Sequence, residues 1–134
     1  MAQGPQRTGI EIRDAHFPGR APVDAYGNGG FRFAEMSHRG SILCLPSGIH
    51  GWPAVTVEEI GEESLARLFS EAADVEVLLV GTGPDLVRLA DPLRWALRSA
   101  GIMADSMSTG AAVRTYNVLL SEDRAVAAAL LAVD

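Results

Sequence analysis

A pair of glycines, Gly81 and Gly83, follows an apolar run at 75–80 that predicts a buried strand. Paired glycines at the end of a strand let backbone N–H groups approach an anion such as a phosphate or a carboxylate. The dinucleotide-binding fingerprint would need a third glycine where Leu86 stands, so dinucleotide binding is not predicted. Two alternatives remain: a tight turn at the carboxyl edge of the sheet, or a ligand-binding loop that includes Thr82.

The densest set of polar side chains stands a little further along the chain. It comprises Asp105, Ser106, Ser108, Thr109 and Arg114, and Asn117 can share a helical face with Arg114. Its first members follow a short predicted strand and the others begin a predicted helix, where backbone N–H groups and Arg114 can hold a carboxylate or a phosphate. The alternative is that Ser108 caps the helix and Arg114 pairs with Asp105. We expect Arg114 to be partly exposed and close to the turn at 81–83.

Other reactive side chains lack the spacing that catalysis or metal binding requires. His16, His38 and His50 show no HxH, HxxxH or HExxH pattern, so no metal site and no cofactor are predicted. Cys44 lies in an apolar strand and is interpreted as an unreactive core thiol. Ser47 has no glycine two residues before it and is not a nucleophile elbow, and its closeness to His50 is interpreted as coincidence.

The elements that must position these residues differ between the two halves of the chain. The first half alternates apolar and polar residues, which predicts strands at 10–13, 31–35, 41–45 and 54–57. Among these, 31–35 and 41–45 are predicted to form an antiparallel hairpin that turns at 38–40.

The second half shows helical periodicity. Helices are predicted over 65–72, over 91–100 with Asp91 as its cap and Gly101 at its end, and over 108–120. The strands 75–80 and 102–104 flank the middle helix, which makes a parallel βαβ unit. The periodicity alone leaves the segment 124–133 open between a helix and a buried strand.

Composition narrows the class of protein. The chain has 134 residues and is 48% hydrophobic, which is typical of one globular domain. Residues 1–9 are polar and are predicted to form a flexible tail, and 10–134 are predicted to form a single α/β domain. All 11 basic residues are arginine, so P-loop and Schiff-base chemistry are excluded for lack of a lysine. A net charge of −6 argues against nucleic-acid binding. No apolar run reaches about 18 residues, so we expect no membrane insertion and a cytoplasmic location.

The segment 101–117 resembles the signature of a small family of uncharacterised domains that includes the mitochondrial respiratory complex I assembly factor 3 and the adipogenesis-associated protein. The residues 78–83, the pair Trp52-Pro53 and the pair Gly19-Arg20 fit the same pattern, and the similarity extends over 10–133. This sequence departs from the family at Ser108, where an acidic residue is common, and at Val113, where a cysteine is common.

The resemblance implies a three-layer α/β fold with a mixed central sheet, and a strand rather than a helix at 124–131. It also implies an accessory role, because the best-understood branch of that family helps to assemble a membrane enzyme and is not a catalyst.

Two functions follow from these observations. The first is a non-catalytic, assembly-factor-like interaction protein with a protein partner, whose contact candidate is Trp95 between Arg94 and Arg98. That tryptophan could instead pack beneath a neighbouring loop. The second is a domain or enzyme that binds a small anion or metabolite in a cleft between the loop 81–83 and the start of the helix 108–120. The sequence leaves the oligomeric state open.

Overall fold

The computed structural model describes residues 17–134 and contains two β-sheets. A three-stranded antiparallel sheet comprises β1 (Val23–Gly27), β2 (Gly30–Phe33) and β3 (Met36–Arg39). A five-stranded sheet comprises β4 (Ser41–Leu45), β5 (Gly48–Trp52), β6 (Val77–Gly81), β7 (Met103–Met107) and β8 (Val126–Leu130). The helices are α1 (Ala66–Ser70), α2 (Asp91–Ser99) and α3 (Thr109–Ser121).

The five-stranded sheet is mixed, with strand order β5-β4-β8-β6-β7. Strand β6 runs parallel to both of its neighbours, β7 and β8, whereas β4 runs antiparallel to β5 and β8. One face of this sheet packs against α1 and α2, and the other packs against α3 and the three-stranded sheet. These three layers confirm the predicted α/β class, and the β6-α2-β7 connection confirms the predicted βαβ unit.

Burial on both faces explains why the interior strands β6 and β8 carry almost no polar residues. Leu78, Leu79 and Val80 of β6 are at most 2% exposed, because the strand lies inside the sheet with a layer on each face. The alanines of β8, 127–129, are fully buried in the same way. The predicted strand at 75–80 and the strand implied at 124–131 are therefore both confirmed.

The expected hairpin between 31–35 and 41–45 is wrong. Strand β2 pairs with β1 and β3, and β4 belongs to the other sheet. The chain turns early because Ala34 and Glu35 adopt left-handed φ angles of 49° and 63°, so 36–39 becomes a further strand instead of a turn. Gly40, with φ 101°, is where the chain passes from one sheet to the other.

The strand expected at 54–57 is also absent, and a 3-10 turn spans Val57–Glu59. The Glu59 carboxylate reaches back to accept the backbone N–H groups of Val55 and Thr56, at 2.6 and 3.0 Å. These two hydrogen bonds lower the pKa of Glu59 and favour a helical turn over an extended chain. The predicted strand at 10–13 lies outside the described residues.

The predicted helices lie where periodicity placed them, with small differences at their ends. Helix α1 is a single short turn, and a 3-10 turn at Ala72–Asp74 follows it. The cap of α2 is Ala90, and Asp91 is its first helical residue instead of the cap. Gly101, with φ 82°, follows α2 as expected.

Replacing Leu97 by alanine should lower the free energy of unfolding by about 2–5 kcal/mol, as truncations of buried leucines do. Leu97 is 1% exposed and packs α2 on the sheet. The measurement is chemical denaturation, with Leu86→Ala as the matched control because Leu86 is 64% exposed. Equal stability of the two variants would contradict the buried position of α2.

Candidate functional site

The loop after β6 and the start of α3 are joined by the hydroxyl of Thr109. This hydroxyl donates to the carbonyl of Leu131 at 2.8 Å and accepts the backbone N–H of Gly83 at 3.0 Å. The backbone N–H of Thr109 donates to the carbonyl of Gly83 at 2.8 Å. Thr109 is fully buried, so its polar groups serve internal hydrogen bonds.

Close packing and turn geometry explain the two glycines of this loop. A Cβ atom at Gly81 would lie 2.9 Å from the Cα of Thr109, so only glycine allows α3 to approach the strand this closely. Gly83 has φ 101°, which favours glycine in the turn. The Thr82 hydroxyl lies 2.6 and 3.0 Å from the carbonyls of Asp85 and Met107. The geometry is that of the tight turn, and a ligand-binding role for 81–83 stays a prediction.

Two polar residues of α3 also have structural partners. Ser108 caps the helix as predicted, because its hydroxyl accepts the backbone N–H of Ala111 at 3.3 Å. The Asn117 amide accepts the N–H of Val23 and donates to the carbonyl of the same residue, each at 2.9 Å. Asn117 therefore pairs with the backbone of β1 like a short strand, which fixes the three-stranded sheet against α3.

Asp105 and Arg114 are the two charged members of the predicted site, and both are exposed. Within residues 17–134 neither makes a hydrogen bond or an ion pair, so the alternative in which they pair with each other is wrong. The strand expected at 102–104 extends to Met107, which places Asp105 within β7 instead of in a loop after it. The strand was underestimated because an edge strand needs no continuous apolar run.

A groove with a cavity volume of about 1040 Å³ lies elsewhere, between the end of β3 and the residues that follow β5. Its charged side chains are Arg39, Arg67 and Asp134, and its walls include Trp52 and Pro84. Neither guanidinium has a partner among residues 17–134. Sequence reasoning missed this groove because its residues come from separate parts of the chain that carry no shared motif.

The interpretation of Ser47 and His50 as a coincidence is wrong. The Ser47 hydroxyl lies 2.9 Å from Nε2 of His50 and donates to Oε2 of Glu71 at 2.6 Å, while the Ser47 N–H donates to Oε1 of Glu71 at 2.9 Å. In a catalytic triad the histidine takes the serine proton, whereas here that proton points to the carboxylate. The arrangement ties the β4–β5 turn to the end of α1.

Cys44 is buried, as its apolar surroundings predicted. Burial raises the pKa of its thiol to about 12, and a hydrogen bond with the Tyr116 hydroxyl offsets only part of that effect. Burial also raises the pKa of Tyr116. Neither group is charged at neutral pH, so the pair is part of the core between the sheet and α3.

Trp95 is 65% exposed, so it does not pack beneath a loop. The guanidinium carbon of Arg98 lies 6.0 Å from its ring centroid, a cation–π contact on the surface of α2. In the part of the chain that the structure describes, no three His, Cys, Asp or Glu side chains come together in a way that could hold a metal ion. None of the helices in that part is long and apolar enough to span a bilayer.

Residues 23–131 match the family described as proteins of unknown function DUF498/DUF598. The chain belongs to this family. It is 43% identical over 119 residues to an uncharacterised protein of Rhodobacter capsulatus, covering 89% of this chain and 90% of that protein. It is 31% identical over 126 residues to the mouse NADH dehydrogenase [ubiquinone] 1 alpha subcomplex assembly factor 3, covering 94% of this chain and 68% of that protein.

A solved structure has the same DUF498/DUF598 fold. The crystal structure of an outer membrane protein from Bartonella henselae superposes with a TM-score of 0.86 at 60% sequence identity, covering 89% of this chain and 100% of that one. The comparisons confirm the resemblance drawn from the segment 101–117.

Replacing Thr109 by valine should lower the free energy of unfolding of this DUF498/DUF598 domain by about 1–3 kcal/mol. Valine has the same shape but leaves the Gly83 N–H and the Leu131 carbonyl without a partner in the core. Thr109→Ser is the control, because it keeps the hydroxyl and loses only a methyl group. A valine variant as stable as the serine variant in urea denaturation would show that the hydroxyl has no such role.

Cys44 should resist thiol reagents while the protein is folded. A pKa of about 12 leaves roughly one thiol in ten thousand ionised at pH 8, and the thiolate is the reactive form. We expect no reaction with dithionitrobenzoate in buffer and one thiol per chain in guanidinium chloride, followed by absorbance. Rapid labelling of the folded protein would mean that the core around Cys44 opens readily.

Proposed function

We propose that this chain is a non-catalytic accessory protein that helps to assemble a multisubunit NADH dehydrogenase by binding a protein partner. Its 31%-identical relatives in mouse and rat are named as assembly factors of NADH dehydrogenase, and their similarity covers 94% of this chain. The proposal keeps the cytoplasmic location that the sequence suggested.

The observation that carries this proposal is the exposure of two large apolar side chains, one on the outer strand of the five-stranded sheet and one on the helix that precedes it. Met103, the first residue of β7, is 72% exposed, and Trp95 on the preceding helix α2 is 65% exposed. The Met103 side chain lies on the face of the sheet that packs against α3, whereas Trp95 projects from α2 on the opposite face, so a partner in contact with both reaches around β7. Exposed aromatic and methionine side chains are typical of surfaces that bind proteins.

The layering of the fold explains why Met103 is open to solvent. Helix α3 packs on β6 and β8, and the three-stranded sheet packs near β4 on the same face. Strand β7 lies at the end of the sheet, beyond both of these layers. A partner that covers β7 would remove Met103 from water, and the burial of such a side chain contributes about 1.5–3 kcal/mol.

The direct test is deletion of the gene in the organism that encodes the chain, followed by native gel electrophoresis of its membranes. We expect less assembled NADH dehydrogenase in the deletion strain and recovery when the unaltered chain is supplied. A double variant, Trp95→Ser with Met103→Ser, should fail to restore assembly although it folds. Val55→Ser is the matched control, because Val55 is also 72% exposed but lies away from β7.

Normal assembly in the deletion strain would overturn the proposal. Full recovery by the Trp95→Ser, Met103→Ser variant would overturn the choice of surface.

A further inference from the structure

The hydrogen-bonding pattern of β7 leaves one of its edges open. Met103 donates its N–H to the carbonyl of Glu76 at 3.0 Å, and the carbonyl of Met107 accepts the N–H of Thr82 at 2.9 Å. In a parallel ladder these two bonds mean that residues 103, 105 and 107 use their backbone groups toward β6. The N–H and C=O groups of Ala104 and Ser106 therefore point away from the sheet.

Nothing within residues 17–134 pairs with that side of β7, which is the last strand in the order. Natural edge strands are guarded by charged side chains, above all lysine, by proline, by bulges or by a covering loop, because a bare edge is a template for another strand. The strand Met103–Met107 contains neither lysine nor proline, and its pairing with β6 shows no shift of register. Its one charged residue is Asp105.

The register with β6 determines which side chains of β7 share a face. Met103 lies opposite Val77 and Asp105 lies opposite Leu79, and both of these β6 residues pack in the cluster that includes α3. The same face therefore presents two methionines with a carboxylate between them, Met103, Asp105 and Met107. Asp105 has no cationic partner among the described residues.

We propose that an extended segment of the partner protein adds a strand to this edge and carries a lysine or arginine opposite Asp105. The backbone of this segment forms hydrogen bonds with the backbone groups of Ala104 and Ser106. The apolar residues that flank the basic one on the same face cover Met103 and Met107. This inference rests on the proposed function, because it assigns the segment to a protein partner. Opposite charges directly across two strands stabilise their pairing, and backbone bonds supply affinity in strand addition.

A second copy of the chain fits this edge less well. Two copies related by a two-fold axis pair antiparallel, and the register that uses all four open backbone groups places Ala104 opposite Ser106. That register sets Asp105 opposite Asp105, and like charges directly opposite each other are destabilising. The carboxylate therefore disfavours self-association and favours a basic partner segment.

The test uses a synthetic nine-residue peptide with fluorescein at its N-terminus, in which valine and threonine alternate and the central residue is lysine. Every valine then lies on the face of the lysine. A second peptide with a central glutamate differs only in charge. We expect fluorescence anisotropy to show the lysine peptide binding about 3- to 10-fold tighter, from the size of cross-strand charge pairs.

Two kinds of variant identify the edge. Ala104→Pro removes an outward N–H without removing a bond to β6, so binding should be lost, while Ala104→Val keeps the N–H and should bind normally. Asp105→Lys should reverse the preference, so that the glutamate peptide binds tighter. This second variant keeps the proposal testable if Ala104→Pro does not fold by circular dichroism.

Amide exchange gives an independent readout. The Ala104 and Ser106 amides should exchange rapidly in the free protein and slow down when the lysine peptide is added, whereas the Asp105 amide should be slow in both states. The proposal is overturned by equal binding of the two peptides, by unchanged binding to Asp105→Lys, or by protection of these amides through dimer formation without peptide. Peptide binding in a protein whose deletion leaves NADH dehydrogenase assembly intact would refute the proposed function alone.

Discussion

The hydroxyl of Thr109 is the interaction on which the arrangement of the layers depends. It joins the end of β6, the start of α3 and the residue that follows β8, three segments that are adjacent in space and distant along the chain. Leu131 completes the same junction by donating its N–H to the carbonyl of Gly81 at 3.0 Å. Because α3 must pass from β7 to β8 across β6, this junction fixes where the crossover begins.

The residues after Leu131 extend the junction to the rest of the molecule. The N–H of Ala132 donates to the hydroxyl of Ser41 at the start of β4, and the carbonyl of Val133 accepts the N–H of Gly29 in the turn of the three-stranded sheet. The short stretch 131–133 therefore holds both sheets to the start of α3. Among the polar residues that the sequence singles out, Thr82, Ser108 and Thr109 make internal hydrogen bonds, whereas Asp105 and Arg114 stand outside this network.

Regular packing was predictable from sequence, and pairings between distant segments were not. The apolar run at 75–80 and the stripe that includes Leu93 and Leu97 identify a buried strand and a helix, because burial imposes a period on local sequence. Glu71 gives no local sign that it holds Ser47, since the two residues meet only after the chain folds. Likewise, the position of the glycine pair at the sheet edge was predictable from sequence. The close approach of Thr109 to Gly81 was not, because it exists only in the folded chain.

The position of β8 has a consequence for the order of events during synthesis. This strand, Val126–Leu130, lies between β4 and β6 in the middle of the five-stranded sheet, although it is made long after both of them. Until residue 130 has emerged from the ribosome, β4 and β6 are not joined in one sheet, because the strand that lies between them is missing. Each of them then has an open edge at the place that β8 later occupies. Completion of the sheet therefore waits until β8 has emerged, and the interval before it is when the emerging chain is most exposed to aggregation and to chaperones.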